Sequence, residues 1–394
     1  MPAAAPAPSI APELSARGEA LIARFAAAGF ARRDPPILQP ADIFLDLSGE
    51  TIRRALFLTV DEDGRELCLR PELTIPVARA VIAEGQKLPA AVSYLGPVFR
   101  FGGAQAGEFL QAGVESFGRT DVAAADAEIL ALGLDACALA GLARPQIRLG
   151  DVGLFAALLE ALPLAPALRR RLLKDFGQGR LDVDLNRETA APGAPVAGPH
   201  AGVLAALAGA DPAAARALVT DLLSIAGIST VGGRSVSEIA ERFLEQAARD
   251  AGAGLSPDTA GILDAFLAVS GAPDAACASM AALAAEAGLD LAAALDAFAG
   301  RTAALKARGV AVADIAFSAA FGRPLDYYSG MVFELHDPAG RVDGPLVAGG
   351  RYDRLLPRLA GVPSNGVAAT IPAVGCAVWV ARLAALSLQA EAVA

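Results

Sequence analysis

Seven polar side chains interrupt text that is otherwise apolar: Glu72, Thr74, Arg100, Gln111, Glu115, Arg323 and Tyr328. Two cations and two carboxylates among them suit a zwitterion better than a simple anion. A carboxylate and an amide oxygen accept from an ammonium group, and a guanidinium forks onto a carboxylate. The remaining acid, with a tyrosine hydroxyl, can grip a polar side chain. The densest chemistry lies in Arg323-Pro324-Leu325-Asp326-Tyr327-Tyr328-Ser329-Gly330-Met331-Val332-Phe333-Glu334. An arginine buried beside tyrosine hydroxyls suits a small polar anion; a core strand with a surface arginine is the alternative. Nothing has the form of a nucleophile–base pair. His200 and His336 lie in no metal-ligand spacing and near no serine or cysteine motif. Cys68, Cys137, Cys277 and Cys376 have no C-x-x-C spacing and read as buried reduced thiols. No metal and no cofactor is expected.

Extended segments must carry most of these residues. Residues 314–320 and 331–335 flank the arginine–tyrosine segment and read as strands. Successive tyrosines of an extended chain point to opposite faces, so both reach one pocket only if the chain bends, as Pro324 and Gly330 permit. Residues 91–101 predict a strand with Arg100 near its end, and 108–117 a second. In the second, Gln111, Gly113 and Glu115 alternate with Leu110, Ala112 and Val114, which gives one polar face. Gln111 and Glu115 are then roughly 13 Å apart along the strand. Gly113 between them leaves room for a ligand against the backbone; a solvent-facing strand is the alternative. A hairpin is expected over 56–60 and 66–69, turning at Asp61-Glu62-Asp63-Gly64. Helices are expected over 11–28, 75–84 and 121–142, a strand over 146–151, and strand then helix over 373–386. From 153 to 309 the text becomes helical, alanine-rich and punctuated by Gly and Pro.

A chain of 394 residues is long enough for two or three domains. The net charge of −10 argues against nucleic-acid binding, which relies on a cationic surface. No apolar run reaches the roughly eighteen residues of a membrane span. The start, Met1-Pro2-Ala3-Ala4-Ala5-Pro6, reads as a loose tail rather than a signal peptide, so a cytoplasmic setting is expected.

At the polar residues the chain resembles the catalytic core of a class II aminoacyl-tRNA synthetase, specifically histidyl-tRNA synthetase. LRPELT is similar to that family's Leu-Arg-Pro-Glu-x-Thr segment. YLGPVFRF followed by EFLQAGVESFG resembles its motif 2 strands, and RPLDYYSGMVFE its histidine-specific segment. AGGRYDRLL and AVGCAVWVARL resemble its strand-loop and motif 3. The likeness implies an α+β fold, an antiparallel sheet flanked by helices, with the core at 1–152 and 310–394 and a largely helical insertion at 153–309. It also implies a histidine-binding set. Glu72, Thr74 and Gln111 would hold the α-ammonium group, Glu115 and Tyr328 the imidazole, and Arg323 the carboxylate, with Tyr327 lining the pocket. Arg100 is the motif 2 arginine, which binds the carboxylate and, in synthetases, the α-phosphate. A dimer through the first helix and the proline-bearing strand near 36–40 follows from the same likeness.

The chain also departs from that family. Gly102 stands where the synthetase has a glutamate that reads the adenine amine. The loop after it is uncharged and shorter, and each lost cationic contact costs an adenylating site about 2–4 kcal/mol. Motif 3 keeps Arg382 but places Trp379 where the family has a small glycine, crowding the adenine site. No anticodon-binding domain is expected after it. This pattern resembles the regulatory subunits of the short-form ATP phosphoribosyltransferase, the first enzyme of histidine biosynthesis. The resemblance implies a non-catalytic chain, a homodimer within a hetero-oligomer, that binds and activates the short catalytic subunit. L-histidine would be its effector, acting by binding two states of the assembly unequally. A histidine-activating ligase without an anticodon domain is the second expectation, and a scaffold with an empty pocket the third.

Overall fold

The computed structural model describes residues 12–47, 52–102, 107–177, 255–323, 325, 327–361 and 370–393, with 181, 221, 230–231 and 234–235. The uncharged loop at 103–106, the Pro- and Gly-rich stretch at 189–199, His200, Pro324 and Asp326 lie outside the described residues. The strands are β1 (Ala31–Arg32), β2 (Leu38–Pro40), β3 (Leu58–Val60), β4 (Glu66–Leu69), β5 (Ala90–Arg100), β6 (Gly107–Phe117), β7 (Gln146–Asp151), β8 (Thr230–Val231), β9 (Arg234–Ser235), β10 (Ser270–Gly271), β11 (Ile315–Ser318), β12 (Met331–His336), β13 (Val347–Arg351) and β14 (Ala373–Trp379).

Contacts divide the chain into two units: 1–157, 177–179 and 266–394 form one, and 158–176 and 180–265 the other. The second contains most of the helix Pro166–Gly177 and the ribbon β8-β9. The first contains a nine-stranded sheet in the order β1-β5-β6-β14-β13-β12-β7-β11-β10 and a smaller sheet, β2-β4-β3. From β5 to β7 the large sheet is antiparallel throughout, and β1·β5 and β7·β11 add parallel pairs near its ends. The expected hairpin is β3-β4, with the Asp61 carboxylate accepting from the backbone N–H groups of Asp63 and Arg65 at the turn.

The long helices follow from their apolar faces. Pro12–Ala27 buries Leu21, Ile22 and Phe25 against β5 and β6. Val122–Leu139 lies across β6, β12, β13 and β14, and a further helix, Ala292–Ala307, packs on it. Covered by both, it buries Ile129, Leu130, Leu132 and Ala136, so its sequence shows little polar relief. The helices Pro273–Glu286 and Ala292–Ala307 therefore belong with the sheet, although composition runs on unbroken from the insertion. A buried ionic cluster explains why. Arg301 donates to Asp126 at 2.8 Å and to Asp151 at 2.5 Å, and Arg351 donates to Asp126 at 2.5 and 2.9 Å. Phe298 also packs on Phe317 of β11, ring centres 5.0 Å apart.

β6 is buried from Leu110 to Phe117, Gln111 and Glu115 included. Its polar face therefore looks into the protein, which excludes the solvent-facing alternative. Around that face lies a cluster built from Phe44, Leu73, Ile75, Tyr94, Tyr327 and Tyr352, among others. The helices Thr74–Ala83 and Leu355–Leu359 pack together beside it.

Candidate functional site

A cavity enclosing about 690 Å³, its open mouth included, is lined by seven of the eight predicted residues, all but Glu115. Glu72 precedes the helix Thr74–Ala83, and its carboxylate accepts from the N–H groups of Thr74 and Ile75, both at 2.8 Å. These are first-turn donors that the helix itself cannot satisfy, so the helix fixes the acid. Burial pushes the Glu72 carboxyl above its ordinary range, against the pull of those two bonds.

Thr74 turns its hydroxyl the other way, donating to Glu115 Oε1 at 2.7 Å, while the Tyr352 hydroxyl donates to Glu115 Oε2. Glu115 thus lies just behind the cavity lining, 1% exposed. Burial pushes its carboxyl up to about 8, although the hydroxyls of Tyr352 and Thr74 oppose the shift and nearby Glu72 adds to it. Register with β14 sets Gly375 opposite Glu115 and Trp379 opposite Gln111. A Cβ at Gly375 would stand 1.5 Å from Glu115 Oε2, so the acid occupies space that only glycine leaves. The room above Gly113, expected for a ligand, is filled by Tyr94 instead: a Cβ there would be 2.3 Å from its hydroxyl oxygen.

The segment before β12 is not a strand, and with Tyr327 in a turn both tyrosines reach the cavity. Their rings lie 5.0 Å apart, and Tyr327 meets Tyr352 edge-on at 5.6 Å. Burial raises the Tyr328 hydroxyl to about 12, so it remains a donor at neutral pH. Arg323 donates through Nη1 to Glu334 at 2.6 Å, and its buried Nε has no partner among the described residues. Gln111 likewise has a buried, unpartnered Oε1. Arg100 donates through Nε to the Pro71 carbonyl at 2.8 Å and stacks 5.4 Å from the Phe109 ring centre. Burial lowers its pKa, with Glu72 opposing and Arg323 and Arg382 adding to the shift.

The predicted residues thus come together in one place, with Glu115 bonded in from behind. Tyr352 joins them from a segment whose sequence shows only a likeness to the family's strand-loop, and no local pattern marks its hydroxyl as a partner of Glu115. Trp379 lines the same cavity, and Arg382 is stacked 5.0 Å from its ring centre and donates to the Pro345 carbonyl at 2.5 Å. Arg382 is thus engaged by Trp379 and Pro345. Cys68, Cys137, Cys277 and Cys376 are free thiols, and the described residues contain no group of three or more potential metal ligands. No helix among the described residues is long and apolar enough to cross a membrane.

The family model for histidyl-tRNA synthetase matches residues 7–208 and 213–383. An ATP phosphoribosyltransferase regulatory subunit of Brucella canis is 44% identical over 357 residues, covering 89% of this chain and 92% of that one. Among solved structures, an ATP phosphoribosyltransferase regulatory subunit/histidyl-tRNA synthetase of Bacillus halodurans superposes with a TM-score of 0.68 at 21% identity, over 98% of this chain and 83% of that one. A histidine–tRNA ligase subunit of Alicyclobacillus acidocaldarius does so with a TM-score of 0.57 at 25% identity, over 100% and 98%.

Proposed function

We propose, for a chain that belongs to the histidyl-tRNA synthetase-like family of ATP phosphoribosyltransferase regulatory subunits, that the cavity senses free L-histidine. The chain is a regulatory subunit of that enzyme rather than a catalyst in its own right. One observation carries the histidine reading. A buried acceptor, Gln111 Oε1, and a buried donor, Arg323 Nε, both lack partners among the described residues, and both residues line one cavity. Leaving either group desolvated and unpaired costs about 1–3 kcal/mol. An α-amino acid supplies both missing partners, an ammonium for Gln111 and a carboxylate for Arg323.

In this reading Glu72 and Thr74 join Gln111 around the ammonium group, and Arg100 supports Arg323 at the carboxylate. Glu115 and Tyr328 take the imidazole, against the wall formed by Tyr327. Histidine then acts as end-product inhibitor by favouring one state of the complex with the short catalytic subunit, which is otherwise activated by this chain. The setting is the cytoplasm, with no nucleic-acid partner. The chain works as a homodimer within a hetero-oligomer; Ile37 just before the proline-bearing strand β2 and Leu38 within it, 41% and 50% exposed, supply apolar surface for it. A monomer by light scattering, well above micromolar concentration, would refute the dimer. The ligase alternative rests on Arg100 and Arg382, and the engagement of Arg382 with Trp379 and Pro345 speaks against it. Calorimetry with L-histidine tests the site directly: saturable one-site binding is expected, and absence of binding would leave the cavity without this role.

A further inference from the structure

Glu334 is absent from the cavity lining, yet it is bonded to Arg323, which belongs to that lining. Arg323 precedes β12 in a segment without strand pairing, so no sheet backbone fixes its long side chain. Glu334 lies on β12 between β7 and β13 and is fixed on both sides. Its Oε1 accepts from Arg323 Nη1 at 2.6 Å, and its Oε2 meets His336 Nε2 at 2.9 Å. Both members of the Arg323–Glu334 pair are largely buried, at 12% and 17% side-chain exposure.

A guanidinium grips a carboxylate bidentately through paired N–H groups, either at its end or along the Nε edge. The bond to Glu334 engages Nη1 at the end. The Nε edge is left, and Nε is the buried atom without a partner. Arg323 is also one of three neighbouring cations, since Arg100 is affected by both Arg323 and Arg382 as like charges. Without a nearby carboxylate that repulsion would favour other rotamers of Arg323.

We propose that Glu334, braced by His336, is a positioning residue that ties Arg323 by one end and so presents its Nε edge to the carboxylate of the bound amino acid. The inference rests on the histidine reading of the cavity. It adds that recognition of the carboxylate depends on an acid behind the arginine, outside the ligand's reach.

The test is calorimetry on the wild-type chain, Glu334→Gln, Arg323→Gln and the double variant, with L-histidine and with histamine, which has the ring and ammonium but no carboxylate. Glu334→Gln should weaken histidine binding roughly tenfold, the scale of a charge-assisted hydrogen bond, and leave histamine binding unchanged. In the Arg323→Gln background it should have no further effect on histidine. Unchanged or tighter histidine binding by Glu334→Gln, equal losses for both ligands, or additive losses in the double variant would each overturn the assignment while leaving the histidine site standing. A wild-type chain that binds neither ligand would overturn both.

Discussion

Replacing Glu115 by glutamine keeps the shape of the side chain and removes its ability to ionise. In the folded protein burial raises this carboxyl from an ordinary value of 4.5 to about 8. The folded chain therefore keeps a proton that the unfolded chain loses. A raised acid contributes its full stability below the unfolded value, and that contribution drains away as pH rises toward the folded value. Between about pH 5 and 8 the wild type should lose roughly 1.4 kcal/mol per pH unit through this one group. Glu115→Gln has no such loss. Glu72 is raised in the same direction, but it is common to both proteins and cancels in the difference. Urea unfolding at pH 5, 6, 7 and 8 reads the effect. The midpoint of the variant should climb relative to the wild type by roughly half a molar per pH unit, given slopes near 3 kcal/mol/M. Parallel midpoints across that range, or a variant that falls behind as pH rises, would refute the claim that burial keeps Glu115 protonated.

Glu115→Ala should weaken histidine binding by roughly tenfold or more, since the cavity wall in front of it loses its support when two buried hydroxyls, of Thr74 and Tyr352, lose their acceptor; unchanged affinity by calorimetry would remove Glu115 from the site. Gly375→Ala should displace Glu115, because a Cβ there falls 1.5 Å from its Oε2 and 2.6 Å from the Val114 carbonyl oxygen. A stability loss of about 1–3 kcal/mol together with loss of histidine binding is expected, and a variant that binds normally contradicts that geometry. Arg301→Ala should cost about 3–5 kcal/mol in urea unfolding, as it leaves Asp151 buried without its arginine while Asp126 keeps Arg351; a loss under 1 kcal/mol would contradict the pinning of the helix Ala292–Ala307 to the sheet.

Much of the candidate site is legible in the sequence because its residues break simple patterns. Alternation along 108–117 identified Gln111 and Glu115 as sharing one face, and β6 carries them on a buried face. The bend required by Tyr327-Tyr328 is present, since the segment leaves the sheet. Two things were not legible. Space left by a glycine carries no sign of who fills it, so Gly113 suggested a ligand where Tyr94 lies. Composition also shows nothing of long-range ion pairs. Arg301 sits in alanine-rich helical text like that of the insertion, and its pairing with Asp126 and Asp151, 175 and 150 residues away in sequence, helps tie that helix to the sheet, beside the packing of Phe298 on Phe317. Tyr352 belongs to the same class, its role being set by a contact with Glu115 across 237 residues.

In the proposed account the cavity binds histidine in the service of a partner's catalysis. The most direct measurement is the rate of phosphoribosyl transfer by a short catalytic subunit, taken alone, with this chain, and with this chain plus L-histidine. A rate raised by the chain and lowered again by histidine is the expected result. No complex and no change in rate, accompanied by histidine-dependent pyrophosphate–ATP exchange by the chain alone, would contradict it.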